Sequence, residues 1–332
     1  MEVGRRKLVK AIVYTEYGPP EVLQLKEAEK PAPEDNEVLV KVHSASVNYS
    51  DWAFVRGKPF LVRLMPGGPL KPKTTILGAD IAGRVEAVGK NAQQFQPDDE
   101  VFGDLAACGW GGFAEYVSAP EDALALKPVG MTFEEAAAAP QAAVVALQGL
   151  RDKGQLEPGQ KVLINGASGG IGTFAVQIAK SLGADVTGVC STRKMEMVRS
   201  IGADQVIDYT QEDFTKNEQR YDLILDIVAN RSISDYMRAL SPQGNYVAVA
   251  FYPASLFLGP LISMIGRKKM GSLVAKPNVK DLVIIKELLE ACKVVPVIDK
   301  RYPLSEVAEA VRYYGEGHAP GKLVITVDQN NE

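Results

Sequence analysis

The stretch from Lys161 to Gly172, K-V-L-I-N-G-A-S-G-G-I-G, constrains the fold of this chain more than any other. Lys161 to Ile164 is short, apolar and partly β-branched, which suits a strand buried in a parallel sheet. A glycine turn follows. Ile171, Ala175, Ile178, Ala179 and Leu182 then recur at helical spacing. Strand, glycine turn and helix are the context in which a dinucleotide fingerprint has meaning. Ala167-x-Gly169-x-x-Gly172 fits that fingerprint with alanine in the first place. Gly169 is expected to let the backbone approach a pyrophosphate, and Gly172 to let helix and strand pack closely. Ala167, Ser168, Gly170 and Ile171 complete the expected phosphate loop, with the positive end of the helix behind it. The same turn without a ligand would be an ordinary glycine-rich connection, so the rest of the chain has to decide.

At 332 residues the chain is long enough for two domains. A net charge of −4 and a pI near 5.5 argue against a broad nucleic-acid surface. Cys108, Cys190 and Cys292 are too few and too scattered for a disulfide framework or a cysteine zinc cluster. His43 and His318 leave little for histidine-based metal chemistry. No apolar run is long enough to span a bilayer and no secretory core is evident, so a cytoplasmic protein is expected.

Residues 1–129 read as β-rich, with short strands at 11–14, 38–42, 81–88, 100–103 and 113–117 separated by glycine, proline and aspartate turns. At Thr132 the pattern changes. Thr132 and Glu135 form a capping box, and an alanine-rich helix runs towards Leu150 with a break at Pro140. Strands are then expected at 161–164, 185–190, 204–208, 221–227, 244–250 and 271–275, with helices at 171–182, 193–201 and 232–240. Such alternation means an α/β unit with a doubly wound parallel sheet. Six strands complete that unit near residue 277. The closing elements, a helix at 280–292, a strand near 294–298, a helix near 304–314 and a strand at 322–327, are expected to return to the first domain. The division is therefore 1–129 with 278–332, and 130–277.

Further motifs run in order along the chain: Tyr17-Gly18-Pro19-Pro20-Glu21-Val22-Leu23, Asn48-Tyr49-Ser50-Asp51, Gly78-Ala79-Asp80-Ile81-Ala82-Gly83-Arg84-Val85, Gly112-Phe113-Ala114-Glu115-Tyr116, Leu182-Gly183-Ala184, Asp208-Tyr209 and Gly321-Lys322-Leu323-Val324. On these, nearly the whole chain resembles a medium-chain dehydrogenase/reductase of the zinc-independent quinone oxidoreductase and enone reductase branch. The resemblance implies a GroES-like β-rich catalytic domain built from both chain ends, a central Rossmann domain, and an active site in the cleft between them. Zinc-dependent relatives carry cysteine, histidine and usually cysteine where this chain has Asn48, Ala79 and a residue near Gln141. Asn, Ala and Gln cannot make a catalytic zinc site, which needs thiolate, imidazole or carboxylate. No metal is expected.

The second strand of the parallel unit ends at Cys190, followed by Ser191-Thr192-Arg193-Lys194. There is no acid to bind the ribose hydroxyls of NAD. Ser191, Arg193 and Lys194 suit a 2′-phosphate instead, and the resemblance places Tyr209 beside the same phosphate. NADPH is therefore the expected cofactor; the competing reading of Arg193 and Lys194 is a solvated first helical turn. The resemblance puts the nicotinamide near Val145, Val228 and Phe251, and Lys322 near the pyrophosphate.

Without a metal, the chemistry that fits is hydride transfer to a quinone or to an alkene conjugated to a carbonyl, with charge collecting on oxygen. Asn48, by amide donation to a carbonyl or ribose oxygen, and Tyr49, by donating a hydrogen bond or proton, are the candidate catalytic residues. Ser50 stands where zinc relatives have a relay hydroxyl, and Asp51 is a candidate brace for the loop. The segment 253–270 reads as a substrate lid or an interface, and the strand at 271–275 suggests a homodimer. Two alternatives remain open: an enoyl-thioester reductase, and an NADPH-binding structural or regulatory protein with little turnover.

Overall fold

The computed structural model describes residues 7–64, 68–249, 259 and 267–327. In chain order the strands are β1 Leu8–Val13, β2 Gln24–Glu29, β3 Glu37–Val47, β4 Asp80–Val88, β5 Glu100–Asp104, β6 Tyr116–Pro120, β7 Leu124–Leu126, β8 Lys161–Asn165, β9 Asp185–Cys190, β10 Gln205–Asp208, β11 Tyr221–Asp226, β12 Leu240–Ala248, β13 Lys269–Ser272, β14 Ile298–Pro303 and β15 Lys322–Thr326. The helices are α1 Tyr49–Arg56, α2 Phe133–Ala137, α3 Pro140–Leu147, α4 Gly170–Ser181, α5 Met195–Ser200, α6 Ile233–Ala239, α7 Val279–Glu290 and α8 Val307–Gly315.

Two compact units result. One comprises 1–141, 277–290 and 298–332; the other comprises 142–276 and 291–297. The sequence pattern put the first seam at 129–130, whereas the division falls after Gln141. The physical reason is α2. Its Ala136 and Ala137 are buried against Ala82 of β4 and Phe102 of β5, inside the first unit. Thr132 and Glu135 form the expected capping box, with Thr132 Oγ1 accepting from Glu135 N–H at 3.2 Å and Glu135 Oε2 accepting from Thr132 N–H at 2.9 Å. The alanine-rich stretch does break at Pro140, which opens α3, a position where its missing N–H costs nothing. Gln148–Lys153 then continues as π-helix.

In the first unit the main sheet runs β14-β15-β3-β4-β5-β7, with β6 also on β3, while β1 and β2 form a separate antiparallel pair. The long β3 is the hub. It pairs antiparallel with β4, β6 and β15. The closing strand β15 thereby joins residues from opposite ends of the chain. Core residues Val38, Val40, Val42, Ala45, Ile81, Val101, Leu323 and Ile325 alternate along these strands and are almost wholly buried.

In the second unit the sheet order is β10-β9-β8-β11-β12-β13, and every pairing is parallel. Counted from β8, this is the doubly wound order three-two-one-four-five-six. Val162, Leu163 and Ile164 of β8 are fully buried, as an apolar central strand requires. The strand expected near 294–298 begins later, at Ile298. Val295 is engaged by Gln177 of α4, whose amide donates to Val295 C=O at 2.9 Å and accepts from Val295 N–H at 2.8 Å. This pair of hydrogen bonds ties Val295 to α4 within the second unit, to which 291–297 belongs.

Candidate active site

In the first unit the polar residues of the Asn48–Asp51 motif converge on a buried cluster. Asn48 is the N-cap of α1, and Asp51 in its first turn accepts from Asn48 N–H at 2.8 Å. The other oxygen of Asp51 accepts from Gly78 N–H at 3.0 Å, which ties α1 to the loop before β4. Asp51 is therefore a brace. Burial pushes its carboxyl up to about 7, against the pull of those two N–H groups.

The Asn48 side chain is also committed. Its Nδ2 donates to Asp80 Oδ2 at 2.9 Å, and its Oδ1 accepts from Lys322 Nζ. Asp80 Oδ2 further accepts from Ser46 Oγ at 2.9 Å and from Lys322 Nζ at 3.3 Å. Asp80 and Lys322 have side chains only 0% and 3% exposed, so this is a buried ion pair, and Asp80 accepts further hydrogen bonds from Ser46 and Asn48. Both ends of the Asn48 amide are thus hydrogen-bonded within the first unit. Lys322, expected near a pyrophosphate, donates to Asn48 Oδ1 and Asp80 Oδ2, two of the three bonds its ammonium can make.

Gln141 connects this cluster to a second carboxylate. Its N–H donates to Asp80 Oδ1 at 2.9 Å. Its Oε1 accepts from Ser50 Oγ at 2.9 Å, and its Nε2 faces both oxygens of Asp104 at 3.4 Å. Asp104 Oδ1 also accepts from Ala106 N–H at 2.9 Å. Burial first, and the Asp80 charge second, push the Asp104 carboxyl well above the ordinary carboxylate range. Asp104 escaped the sequence reading. Its one signal was a charged residue after the apolar Val101-Phe102 run and Gly103 of β5. Tyr49, by contrast, is 49% exposed on the first turn of α1, tilted against Trp52 at 5.8 Å. His43 stacks on Phe133 at 4.1 Å, and burial lowers its pKa. Phe54 and Trp110 pack on each other in the core, while Phe60 is exposed.

In the second unit, the expected phosphate loop lies at the carboxyl ends of β8 and β11, where the strand order reverses. In open α/β sheets ligands generally bind at such a point. Gly166 takes the positive φ of the turn, +91°, so the fingerprint's first place can be alanine. Ala167 is fully buried and its N–H bonds Val189 C=O at 3.0 Å. A Cβ on Gly172 would lie 2.1 Å from Gly166 C=O, so glycine is required there by helix–strand packing. Gly169 differs. Its φ is −84°, and a Cβ would meet only Gly166 C=O at 3.6 Å. Neither a positive φ nor packing demands glycine at 169, the N-cap of α4, and the space a side chain would fill is open to a ligand. The loop fits a dinucleotide on that ground. Ser168 is buried beside it, and Gly170 and Ile171 open α4.

Of the other expected cofactor residues, Ser191, Arg193 and Lys194 follow the carboxyl end of β9, Tyr209 that of β10 and Val228 that of β11. Ser191 caps the turn after β9, Arg193 is exposed within it and Lys194 is half-buried. Asp208 pairs with Cys190 across the β9–β10 register, and Tyr209 N–H bonds Cys190 C=O at 3.1 Å, which puts the exposed Tyr209 next to Ser191. Asp208, not weighed as a site residue, accepts from Thr192 Oγ1 and from Thr210 N–H and Oγ1. Those bonds hold its carboxyl below the usual range. Val228 is about half exposed, just past β11; Asp226 Oδ1 accepts from Val228 N–H at 3.1 Å and from Asn165 Nδ2 at 2.8 Å. Val145 sits half-buried on α3. Phe251 and most of the 253–270 segment lie outside the described residues. Among the described residues no cluster of three or more His, Cys, Asp or Glu could hold a metal, and no helix is long and apolar enough to cross a membrane.

The chain resembles known proteins over most of its length. Residues 34–129 match the model of the alcohol dehydrogenase GroES-like domain, and residues 201–325 match that of a zinc-binding dehydrogenase. The chain is 32% identical to a chloroplast envelope quinone oxidoreductase homolog of Arabidopsis thaliana, covering 96% of this chain and 98% of that protein. It is 35% identical to a mitochondrial NAD(P)H oxidoreductase of Mus musculus over 88% of this chain and 82% of the relative. The solved quinone oxidoreductase from Coxiella burnetii superposes with a TM-score of 0.86 at 30% identity, over 97% of this chain and 100% of its own.

Proposed function

Because the chain belongs to the medium-chain dehydrogenase/reductase superfamily, in its quinone oxidoreductase and enone reductase branch, we propose that it is a zinc-independent oxidoreductase that uses NADPH to reduce a quinone or an α,β-unsaturated carbonyl. One observation carries the cofactor side of this reading. Gly169 is a glycine that the chain's own packing does not need, placed at the helix N-terminus beside the strand-order reversal.

In this reading Ala167, Ser168, Gly169, Gly170, Ile171 and Gly172 hold the pyrophosphate. Ser191, Arg193, Lys194 and Tyr209 hold the 2′-phosphate. Val145, Val228 and Phe251 supply apolar contact to the nicotinamide. The preference for NADPH is supported by the exposed Arg193 cation and by the lack of a carboxylate in the turn after β9; Asp208, at the end of the neighbouring β10, accepts from Thr192 and Thr210. When bound, the reduced nicotinamide supplies the hydride.

The chain's own residues must then orient the acceptor and neutralise charge that develops on its oxygen. Tyr49 and Ser50 serve as the polar contacts to that oxygen. Asn48 and Lys322 serve behind them, by fixing the first turn of α1 through Asp80. Asn48, Ala79 and Gln141 do not fit a catalytic zinc: none of the three supplies a thiolate, imidazole or carboxylate, and Asn48 and Gln141 are engaged in internal hydrogen bonds. The outer edge of β13 at the end of the parallel sheet supports a homodimer formed by strand pairing. A cytoplasmic location is retained as part of the proposal.

The test is product analysis. With cofactor deuterated at the transferable position, an enone acceptor should yield a saturated ketone labelled at the β-carbon. Label at the carbonyl carbon, or no product from enones and quinones alike, would refute the proposed reaction.

A further inference from the structure

Ser50, Gln141 and Asp104 form a line of three side chains from half-buried to buried, and the line has a fixed hydrogen-bond polarity. Ser50 Oγ donates to Gln141 Oε1, and Gln141 Nε2 turns to the carboxylate of Asp104. The main chain at Gln141 is held separately by Asp80, at 2.9 Å from its N–H. A hydroxyl has one proton to give. While Gln141 faces this way, Ser50 has spent it and presents only lone pairs to anything else.

We propose that Asp104, acting through the side-chain amide of Gln141, sets whether the Ser50 hydroxyl accepts or donates a hydrogen bond towards the substrate. An ionised Asp104 can only accept, so it draws Nε2 towards itself and turns Oε1 to Ser50. A protonated Asp104 still accepts from Ala106 N–H with Oδ1, but its other oxygen now carries a proton that needs an acceptor. Rotating the Gln141 amide by half a turn meets that need. Oε1 then faces Asp104, Nε2 donates to Ser50 Oγ, and the Ser50 proton is released for a substrate oxygen gaining negative charge. The amide exchanges two nearly isosteric ends, so no other atom has to move. Gln141 and Asp104 are positioning residues here, and Ser50 is the group that touches substrate.

The groups facing Asp104 are consistent with a change of charge at this site. Asp80 on β4 raises its pKa and Lys322 on β15 lowers it. The Cys108 thiol, beyond β5, is pushed up to about 12 by burial and by Asp104 itself, and so adds no charge near neutral pH. Burial, with Asp104 only 8% exposed, is the largest influence. The proposal rests on the reading above that Ser50 faces the acceptor, and its test separates the two.

Two readouts are taken across about pH 5 to pH 9, a range that lies above the ordinary carboxylate pKa of about 4. One is kcat/KM for a quinone or enone at saturating reduced cofactor. The other, independent of turnover, is the side-chain amide NMR signal of Gln141 in glutamine-labelled protein. In the wild type, kcat/KM should fall by about tenfold as pH rises through the Asp104 ionisation, the size of one ordinary hydrogen bond, and the Gln141 signal should shift with the same midpoint. In Asp104→Asn the new amide donates to Gln141 Oε1 permanently, so both profiles should be flat and kcat/KM should stay at its low-pH level. In Ser50→Ala kcat/KM should be low and flat, with the Gln141 step retained. If Asp104→Asn does not fold, Gln141→Met should remove the step from kcat/KM. A Gln141 signal that does not move with pH, or a rate step that survives in Asp104→Asn, would overturn the switch. A moving Gln141 signal in a protein that binds cofactor yet reduces no acceptor would leave the switch standing and sink the reading of what it serves.

Discussion

Gly169 and Gly172 share one turn but answer to different constraints. Gly172→Ala drives a methyl to 2.1 Å from a backbone oxygen and should destabilise the protein by more than about 2 kcal/mol. Gly169→Ala meets no such contact and should cost under about 1 kcal/mol, the range for an N-cap substitution. It should nevertheless weaken NADPH binding at least about tenfold, because the methyl occupies the space a phosphate needs. Thermal melts and fluorescence titrations on the two variants would show it, and equal binding by Gly169→Ala and wild type would remove the ligand-based account of that glycine. Beyond the loop, Lys194→Ala and Arg193→Ala should each raise the KM for NADPH by about 10-fold or more, the scale of a charge-assisted hydrogen bond, and leave that for NADH nearly unchanged. Equal effects on both cofactors would speak for cations that merely sit in solvent. Tyr49→Phe should lower turnover while leaving cofactor affinity intact; an unchanged kcat would exclude the phenol from the chemistry.

Elements show where sequence pattern was a sufficient guide and where it was not. The parallel unit was legible, because β8, β9, β10 and β11 are buried strands with apolar runs and α4 carries its apolar residues at helical spacing. The first unit was read less completely. β2 was missed because every residue but one is exposed and charge interrupts the pattern. α1 was missed because its eight residues are too few to establish a period. At the site, the motif Asn48–Asp51 was legible, but its hydrogen-bond partners were not. Asp80 lies on β4, Lys322 on β15 and Gln141 on α3, and only the antiparallel register of β15, β3 and β4 brings Lys322 and Asp80 to the Asn48 end of β3. The segment before β14 was misplaced because Gln177, an unremarkable helical glutamine in sequence, takes both hydrogen bonds of Val295. Gln177→Leu removes both bonds and should cost about 2 kcal/mol, with faster hydrogen exchange at Val295. An exchange rate identical to wild type would show that burial of Val294 alone holds the segment.

At the scale of the whole molecule, the buried carboxyls make stability depend on pH in a defined direction. Asp51 has a folded-state pKa pushed up to about 7, above its unfolded value of about 4. The native state therefore binds more protons than the unfolded state between those values. Its contribution is greatest below about pH 4 and is lost as pH rises to about 7, by at most about 4 kcal/mol. Urea unfolding at several pH values should show a downward slope in that window that is shallower in Asp51→Asn; equal slopes would mean that Asp51 stays ionised in the native state. In the opposite sense, Asp204 and Asp213 have pKa values lowered by their hydrogen bonds and ion pairs, so their support is present above about pH 4 and fades in acid. Asn48, Ala79 and Gln141 of the β-rich unit stand at the positions where the family resemblance expects zinc ligands in zinc-dependent relatives. The most direct test is steady-state oxidation of NADPH and of NADH with a quinone and an enone, on protein treated exhaustively with chelator. The account predicts turnover that chelation leaves unchanged and a kcat/KM for NADPH well above that for NADH. Loss of turnover on chelation, restored by zinc, would contradict it, as would a preference for NADH.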